Sequence, residues 1–265
     1  MRTPGKVLLD ARKKISKLLW PRNDFIRAEN IKESDIFLVS YPRSGSTWVR
    51  AIIAQILYDE SKINSLKSLN SLVPDIHVNV PNKSGKRVIK THRPYPFRHE
   101  KENENLYGRV IYLARNPIDV AKSFYHYSKF QIGSFDGEFE SFANKFSAGA
   151  IAPGNWQFHV LSWTENKDVE VCILRYEDLK DRTNSEIEKI AKFINKDISK
   201  VNIDKIRKRC SRDRMIKLEE KGSLVDESYN FISNHEEKRV DEVSEIVSDS
   251  IKERNKFAMN KMGYK

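Results

Sequence analysis

Nine consecutive residues, Ser40-Tyr41-Pro42-Arg43-Ser44-Gly45-Ser46-Thr47-Trp48, hold what an oxyanion site requires. Ser44, Ser46 and Thr47 offer hydroxyl donors, Arg43 a planar cationic fork, and Gly45 a backbone that a ligand can approach closely. The apolar run Ile36-Phe37-Leu38-Val39 precedes them and the apolar-periodic segment Val49 to Tyr58 follows, so the order is strand, compact polar loop, helix. A loop that enters a helix at Ser46-Thr47 aims free backbone N–H groups and the positive end of the helix dipole at one spot. Taken alone, the loop announces a bound anion, and a polar turn with an ordinary helix cap is the alternative. It is not the nucleoside-triphosphate loop G-x-x-x-x-G-K-[ST], because it has a single glycine and no lysine before the hydroxyl residue.

Proton transfer at neutral pH needs a group such as a histidine, and His92, in Lys90-Thr91-His92, is the one whose position suits that task. His77 and His99 fall in polar loop sequence, His126 and His159 in helix-like stretches, and His235 near a charged C-terminal helix, which are structural settings. No pair of histidines has the spacing of a zinc site, and no metal is expected. Arg115 stands before a helix opened by Pro117, with Asp119 in its first turn and Ser123 about two turns in. Arg115 and Ser123 together could grip a second anionic group at a distance from the first loop. Two separated anion sites suggest a doubly phosphorylated nucleotide, and Trp48 and Tyr176 offer rings on which a base can stack.

These residues must be brought together by the elements around them. Four apolar runs rich in β-branched residues recur, at Ile36 to Ser40, Arg87 to Lys90, Arg109 to Leu113 and Val169 to Leu174. Three lead into helix-like stretches, at 46–58, 117–129 and 184–195, as in a parallel sheet with crossover helices. In such a sheet the ligand lies outside the carboxyl ends of the strands. The four runs open into Arg43-Ser44-Gly45, Lys90-Thr91-His92, Arg115-Asn116-Pro117 and Arg175-Tyr176-Glu177-Asp178, so cationic, polar and aromatic groups converge on one crevice. The expected fold is α/β, a single domain with a central parallel sheet flanked by helices.

Length and composition fit that frame. A chain of 265 residues, 39% hydrophobic, can bury a sizeable core, and with 10 glycines and 9 prolines no stretch reads as a linker. The division expected is a basic helical segment over 1–35, packed on a domain over 36–265. A formal net charge of +11 calls for an anionic partner without saying which. The two cysteines, Cys172 and Cys210, build neither a disulfide framework nor a metal set, which fits a reducing compartment. No apolar run approaches the ~18 residues that span a bilayer, and Val7 to Leu9 is too short for a signal-peptide core, so a soluble, cytoplasmic protein is expected. Residues 6–22 place Val7, Leu8, Ala11, Ile15, Leu18 and Leu19 on one helical face with basic residues opposite; this face either packs on the domain or makes weak peripheral contact with a membrane.

Taken together, SYPRSGSTW at 40–48, IKTH at 89–92, RNPIDVAKS at 115–123, GNWQFHVLSW at 154–163 and LRYEDLK at 174–180 resemble the soluble sulfotransferases that use 3'-phosphoadenosine 5'-phosphosulfate (PAPS). The likeness runs from about residue 36 to the closing MGYK, with the motifs in register. It implies the P-loop-like sulfotransferase fold, PAPS as donor and adenosine 3',5'-bisphosphate (PAP) as product, with no metal. Carried over, it implies that Arg43, Ser44, Gly45, Ser46 and Thr47 hold the 5'-phosphosulfate, with Trp48 against the adenine and Tyr176 on its other side. Arg115 and Ser123 would hold the 3'-phosphate, His92 would be the general base, and Lys90 and Arg43 would carry positive charge near the transferred group.

Departures from the animal cytosolic pattern are visible. Arg43 replaces a lysine and Ser46 a threonine. The late R-K-G-x-x-G segment survives as Glu220-Lys221-Gly222 with Val225 in place of the second glycine; Lys221 and Gly222 are carried over as 3'-phosphate contacts. The K-x-x-x-T-V-x-x-x-E dimer motif is not apparent, so the resemblance predicts no dimer built that way.

The acceptor is expected to be a small molecule attacked through a hydroxyl, amine or guanidinium nitrogen. Phe130, Phe135, Phe139, Phe142 and Phe146 either line its pocket or pack a local helix, and Pro94 to Phe97 and the loop near 72–85 are further candidates. A P-loop small-molecule kinase would instead need magnesium and ATP, and the incomplete loop and second anion site disfavour it. A nucleic-acid binder would show a contiguous basic stripe with exposed aromatics, whereas here basic residues are spread among 37 acidic ones. A nucleotide-binding protein without catalysis would keep the same loop.

Overall fold

A computed structural model describes residues 31–58, 60–76, 80, 85–95, 107–224, 232 and 243–265. The amphipathic 6–22 segment, His77, His99, His235, Pro96, Phe97 and Val225 lie outside the described residues, so what was expected of them stays an expectation.

Four strands form one parallel sheet: β1 (Ile36–Ser40), β2 (Val88–Thr91), β3 (Arg109–Ala114) and β4 (Glu170–Arg175), in spatial order β2-β1-β3-β4. Ile36 pairs with Val88 on one side and Arg109 on the other, and Arg109 pairs with Glu170, so all four strands run in step and end together. Ser40, His92, Arg115 and Tyr176 therefore emerge along one edge.

Ten α-helices accompany the sheet among the described residues: α1 (Ser46–Leu57), α2 (Leu69–Leu72), α3 (Pro117–His126), α4 (Phe139–Ser147), α5 (Trp156–Thr164), α6 (Tyr176–Asp181), α7 (Thr183–Phe193), α8 (Ile203–Arg209), α9 (Arg212–Glu220) and α10 (Glu245–Met262). The stretch expected as one helix over 117–129 is α3 followed by a π-helical turn at Tyr127–Gln131. The fourth strand does not pass straight into the expected 184–195 helix, because α6 intervenes and carries Tyr176 and Glu177.

A parallel sheet covered on both faces reads as unbroken apolar runs, and alternation within each run supplies two cores. Phe37, Val39, Ile89, Val110 and Tyr112 face a core shared with α3, α4, α5 and α10. Ile36, Leu38, Val88, Ile111, Leu113 and Leu174 face the other, shared with α1, α7, α8 and α9. Arg50, buried on α1, donates to the carbonyls of Val73 (2.9 Å) and Leu69 (3.0 Å), which ties the 69–76 segment to the helix after the loop. This segment then runs beside β2: Lys90 N donates to Pro74 O (2.7 Å) and Ile76 N to Lys90 O (2.8 Å).

Candidate active site

The loop leaving β1 turns sharply at two positive-φ residues, Arg43 (+68°) and Gly45 (+97°), before α1 begins at Ser46. At Gly45 a side chain is excluded twice over: by the backbone conformation, and because a Cβ would sit 2.7 Å from Cδ2 of Tyr176. The tyrosine from the end of β4 thus presses against the loop from the end of β1. At Arg43 the left-handed backbone is held from outside: Arg115 Nη1 donates to the Arg43 carbonyl (3.0 Å), and Arg43 Nε donates to Ser123 Oγ (3.2 Å). The Arg43 guanidinium also lies 4.8 Å above the ring of Tyr127. Burial, and to a lesser degree Arg115, lower its pKa to about 10, against the opposing influence of Tyr127 and Glu219. Arg43, expected at the first anion site, is thereby hydrogen-bonded to Arg115 and Ser123, the two residues expected at the second.

Trp48 and Tyr176 do meet, but edge to face, with centroids 5.9 Å apart and planes at 73°. That is not the pair of parallel walls that an adenine between them would need. The Tyr176 ring is also engaged by Arg115, which stacks on it at 4.5 Å, and by the loop at Gly45. Three donors in this region are buried without a hydrogen-bond partner: Ser44 Oγ, Trp48 Nε1 and Arg115 Nε. Such groups are costly unless something accepts from them, which suits an anionic ligand.

At the neighbouring strand ends stand the two groups suited to chemistry. His92 Nδ1–H donates to the Ser40 carbonyl at 2.7 Å, which leaves Nε2 as the basic nitrogen. Burial, then the charge of Lys90, hold its pKa well below the ordinary histidine value. The His92 carbonyl accepts from His159 Nε2–H (3.0 Å), and His159 Nδ1 accepts from the Tyr112 hydroxyl (2.8 Å). His159, expected to be structural, sits fully buried behind the candidate base and fixes its backbone.

Lys90 forms an ion pair with Asp75 at 2.5 Å. The backbone pairing of Pro74–Ile76 with Lys90 sets this carboxylate opposite the ammonium. Burial lowers the Lys90 pKa and Asp75 opposes that shift. Asp75 escaped the sequence reading because its pairing depends on a chain segment that crosses beside β2; its place in Val73-Pro74-Asp75 reads as an ordinary turn.

Residues 33–245 match the family described as the sulfotransferase domain. The chain belongs to the sulfotransferase family. Its relatives include the amine sulfotransferase of Oryctolagus cuniculus, 31% identical over 208 residues that cover 75% of this chain and 67% of that protein. Sulfotransferase 1B1 of Mus musculus is 35% identical over 186 residues, 65% of this chain and 62% of the relative. The matches thus span about two thirds of the curated relatives' length. Among solved structures, mouse sulfotransferase SULT7A1 complexed with PAP superposes with a TM-score of 0.64 at 23% identity, over 88% of this chain and 90% of the other. Retinol dehydratase in complex with androsterone and the inactive cofactor PAP gives 0.68 at 21% identity, over 88% and 83%. At such identities these two show the shared fold.

In this sulfotransferase chain Glu219, near the end of α9, is buried, and its charge is the smallest of the influences on the Arg43 pKa. Lys221 caps α9 and is exposed, while the Gly222 carbonyl accepts from Lys67 N (3.1 Å). The phenylalanines divide: Phe142 and Phe146 are buried in the core and Phe135 and Phe139 pack on it around Tyr125, whereas Phe130 is 43% exposed. Local packing accounts for the first four. Among the described residues no group of histidine, cysteine, aspartate or glutamate could hold a metal ion, and no helix is long and apolar enough to cross a membrane.

Proposed function

We propose that the chain transfers a sulfuryl group from PAPS to a hydroxyl, amine or guanidinium nitrogen of a small-molecule acceptor, with PAP as the other product, in the cytoplasm and without a metal. The observation that carries this reading is the set of buried, unpartnered donors, Ser44 Oγ, Trp48 Nε1 and Arg115 Nε, together with the Arg43–Ser123 contact. Family membership supplies the reaction class.

In this reading Ser44, Gly45, Ser46 and Thr47, at the start of α1, hold the 5' end of the donor with backbone N–H groups and hydroxyls. Arg115, Ser123 and Arg43 grip the 3'-phosphate, and Lys221 and Gly222 close on it from α9. Trp48 lies against the adenine, and Tyr176 supports the loop and Arg115 rather than forming a second wall. The donor, when bound, supplies a sulfuryl group whose S–O bond to phosphate breaks as a bond from the acceptor to sulfur forms. His92 Nε2 takes the acceptor's proton, its ring held by Ser40 O through Nδ1. Lys90 turns its ammonium toward the reacting oxygens, where positive charge stabilises the negative charge that develops. Positioning and charge suffice for transfer of this kind, which needs little covalent help from protein.

Calorimetric titration with adenosine 3',5'-bisphosphate, beside AMP and ATP without magnesium, tests the reading. Preferential binding of the bisphosphate is expected. Equal binding of all three would point to a generic anion binder, and binding of ATP only with magnesium to a kinase.

A further inference from the structure

Helix α10 ends in a tight αL turn. Gly263 takes φ +71°, its N–H donates to Asn260 O (3.1 Å), and Tyr264 N–H reaches back to Met259 O (2.9 Å). The turn sends the Tyr264 ring into the protein, where it is 6% exposed, with the Arg175 guanidinium 4.6 Å above it and Trp156 6.4 Å away. Its hydroxyl donates to Glu177 Oε2 at 2.9 Å. The other oxygen of the same carboxylate, Oε1, accepts the backbone N–H of Asn116 at 3.0 Å. Asn116 in turn caps α3, accepting from Ile118 N at 3.0 Å, and it separates Arg115 from Pro117.

One carboxylate therefore bridges the turn after α10 and the N-terminus of α3, the helix that carries Ser123. We propose that Tyr264 is a positioning residue for the second anion site: through Glu177 it fixes the Arg115–Asn116 backbone and the start of α3 where a 3'-phosphate must be gripped. This inference rests on the PAPS reading above. The electrostatics make the anchor necessary. A helix N-terminus attracts any anion, and the Glu177 carboxylate already sits there through Oε1 on the Asn116 N–H, so its position stays fixed only if the other oxygen is held by a group outside the site. Tyr264 is that group.

Tyr264→Phe removes the hydroxyl and keeps the ring over which Arg175 lies. Its affinity for adenosine 3',5'-bisphosphate should fall about 10-fold, the scale of one hydrogen bond to a charged group, while affinity for AMP, which lacks the 3'-phosphate, changes less than about 2-fold. Glu177→Ala, which removes the bridge, should show the same selective loss, and adding Tyr264→Phe to it should cost little more. A Tyr264→Phe protein that melts lower yet binds both nucleotides as the parent does, or loses both equally, overturns the inference and leaves the PAPS reading intact. If the unaltered protein does not favour the bisphosphate over AMP, the PAPS reading falls and the role of Tyr264 with it.

Discussion

Asp75 and Lys90 oppose each other across a parallel backbone bridge, with Oδ2 2.5 Å from Nζ and both side chains largely buried. Burial alone would push the Lys90 ammonium toward its neutral form, and the Asp75 carboxylate opposes this. Asp75→Asn should therefore lower the Lys90 pKa further. The alkaline limb of kcat/KM should move to lower pH. Donor affinity, set on the other side of the loop, should stay within about 2-fold. An unchanged alkaline limb would remove Lys90 from the chemistry.

His92→Ala should lose ~10²-fold or more in turnover while binding of adenosine 3',5'-bisphosphate is retained, the usual size of a general-base effect. Single-turnover rates measured beside calorimetric affinities separate the two quantities. A matching loss of nucleotide affinity would mean that His92 supports the loop through Ser40 and is not the base.

Acid should destabilise the protein through two histidines. His92 and His159 are both held below the ordinary value by burial, His159 to about 4. The unfolded chain then binds more protons than the folded one below pH ~6.5, so stability is full above that pH and declines as pH falls toward 4, by up to about 3 kcal/mol for His159. Thermal melts at pH 7 and pH 5 should show the drop. His159→Gln, which keeps a donor for the His92 carbonyl, should shrink it; an equal drop in that variant would exclude His159 as a source.

Gly45→Ala puts a methyl group 2.7 Å from the Tyr176 ring, at a backbone conformation with φ +97° that alanine tolerates poorly. Strain of this kind costs about 1–3 kcal/mol, so the melting temperature should fall by several degrees and nucleotide affinity should drop with it. Chemical denaturation and calorimetry check both. Full affinity in a stable variant would show that the loop has a second way to seat Tyr176.

The sequence alone determined the parallel sheet, because apolar β-branched runs such as Ile36 to Ser40 and Arg109 to Leu113 lead into helix-like stretches, and strands joined by crossover helices run parallel. It also determined which residues meet at the strand ends, since loops after parallel strands share one edge: Arg43, His92, Arg115 and Tyr176 follow directly. What it left open depends on contacts between segments remote in the chain. The direction of the Arg43 side chain toward Ser123, the edge-to-face meeting of Trp48 and Tyr176, the Asp75 partner of Lys90, the His159 bond behind His92 and the Tyr264–Glu177 bridge all carry no periodicity or spacing of their own. Pattern reports which face of an element is buried, whereas the partner of a single polar group is fixed only when two elements pack at one distance and angle, and that the tertiary structure decided.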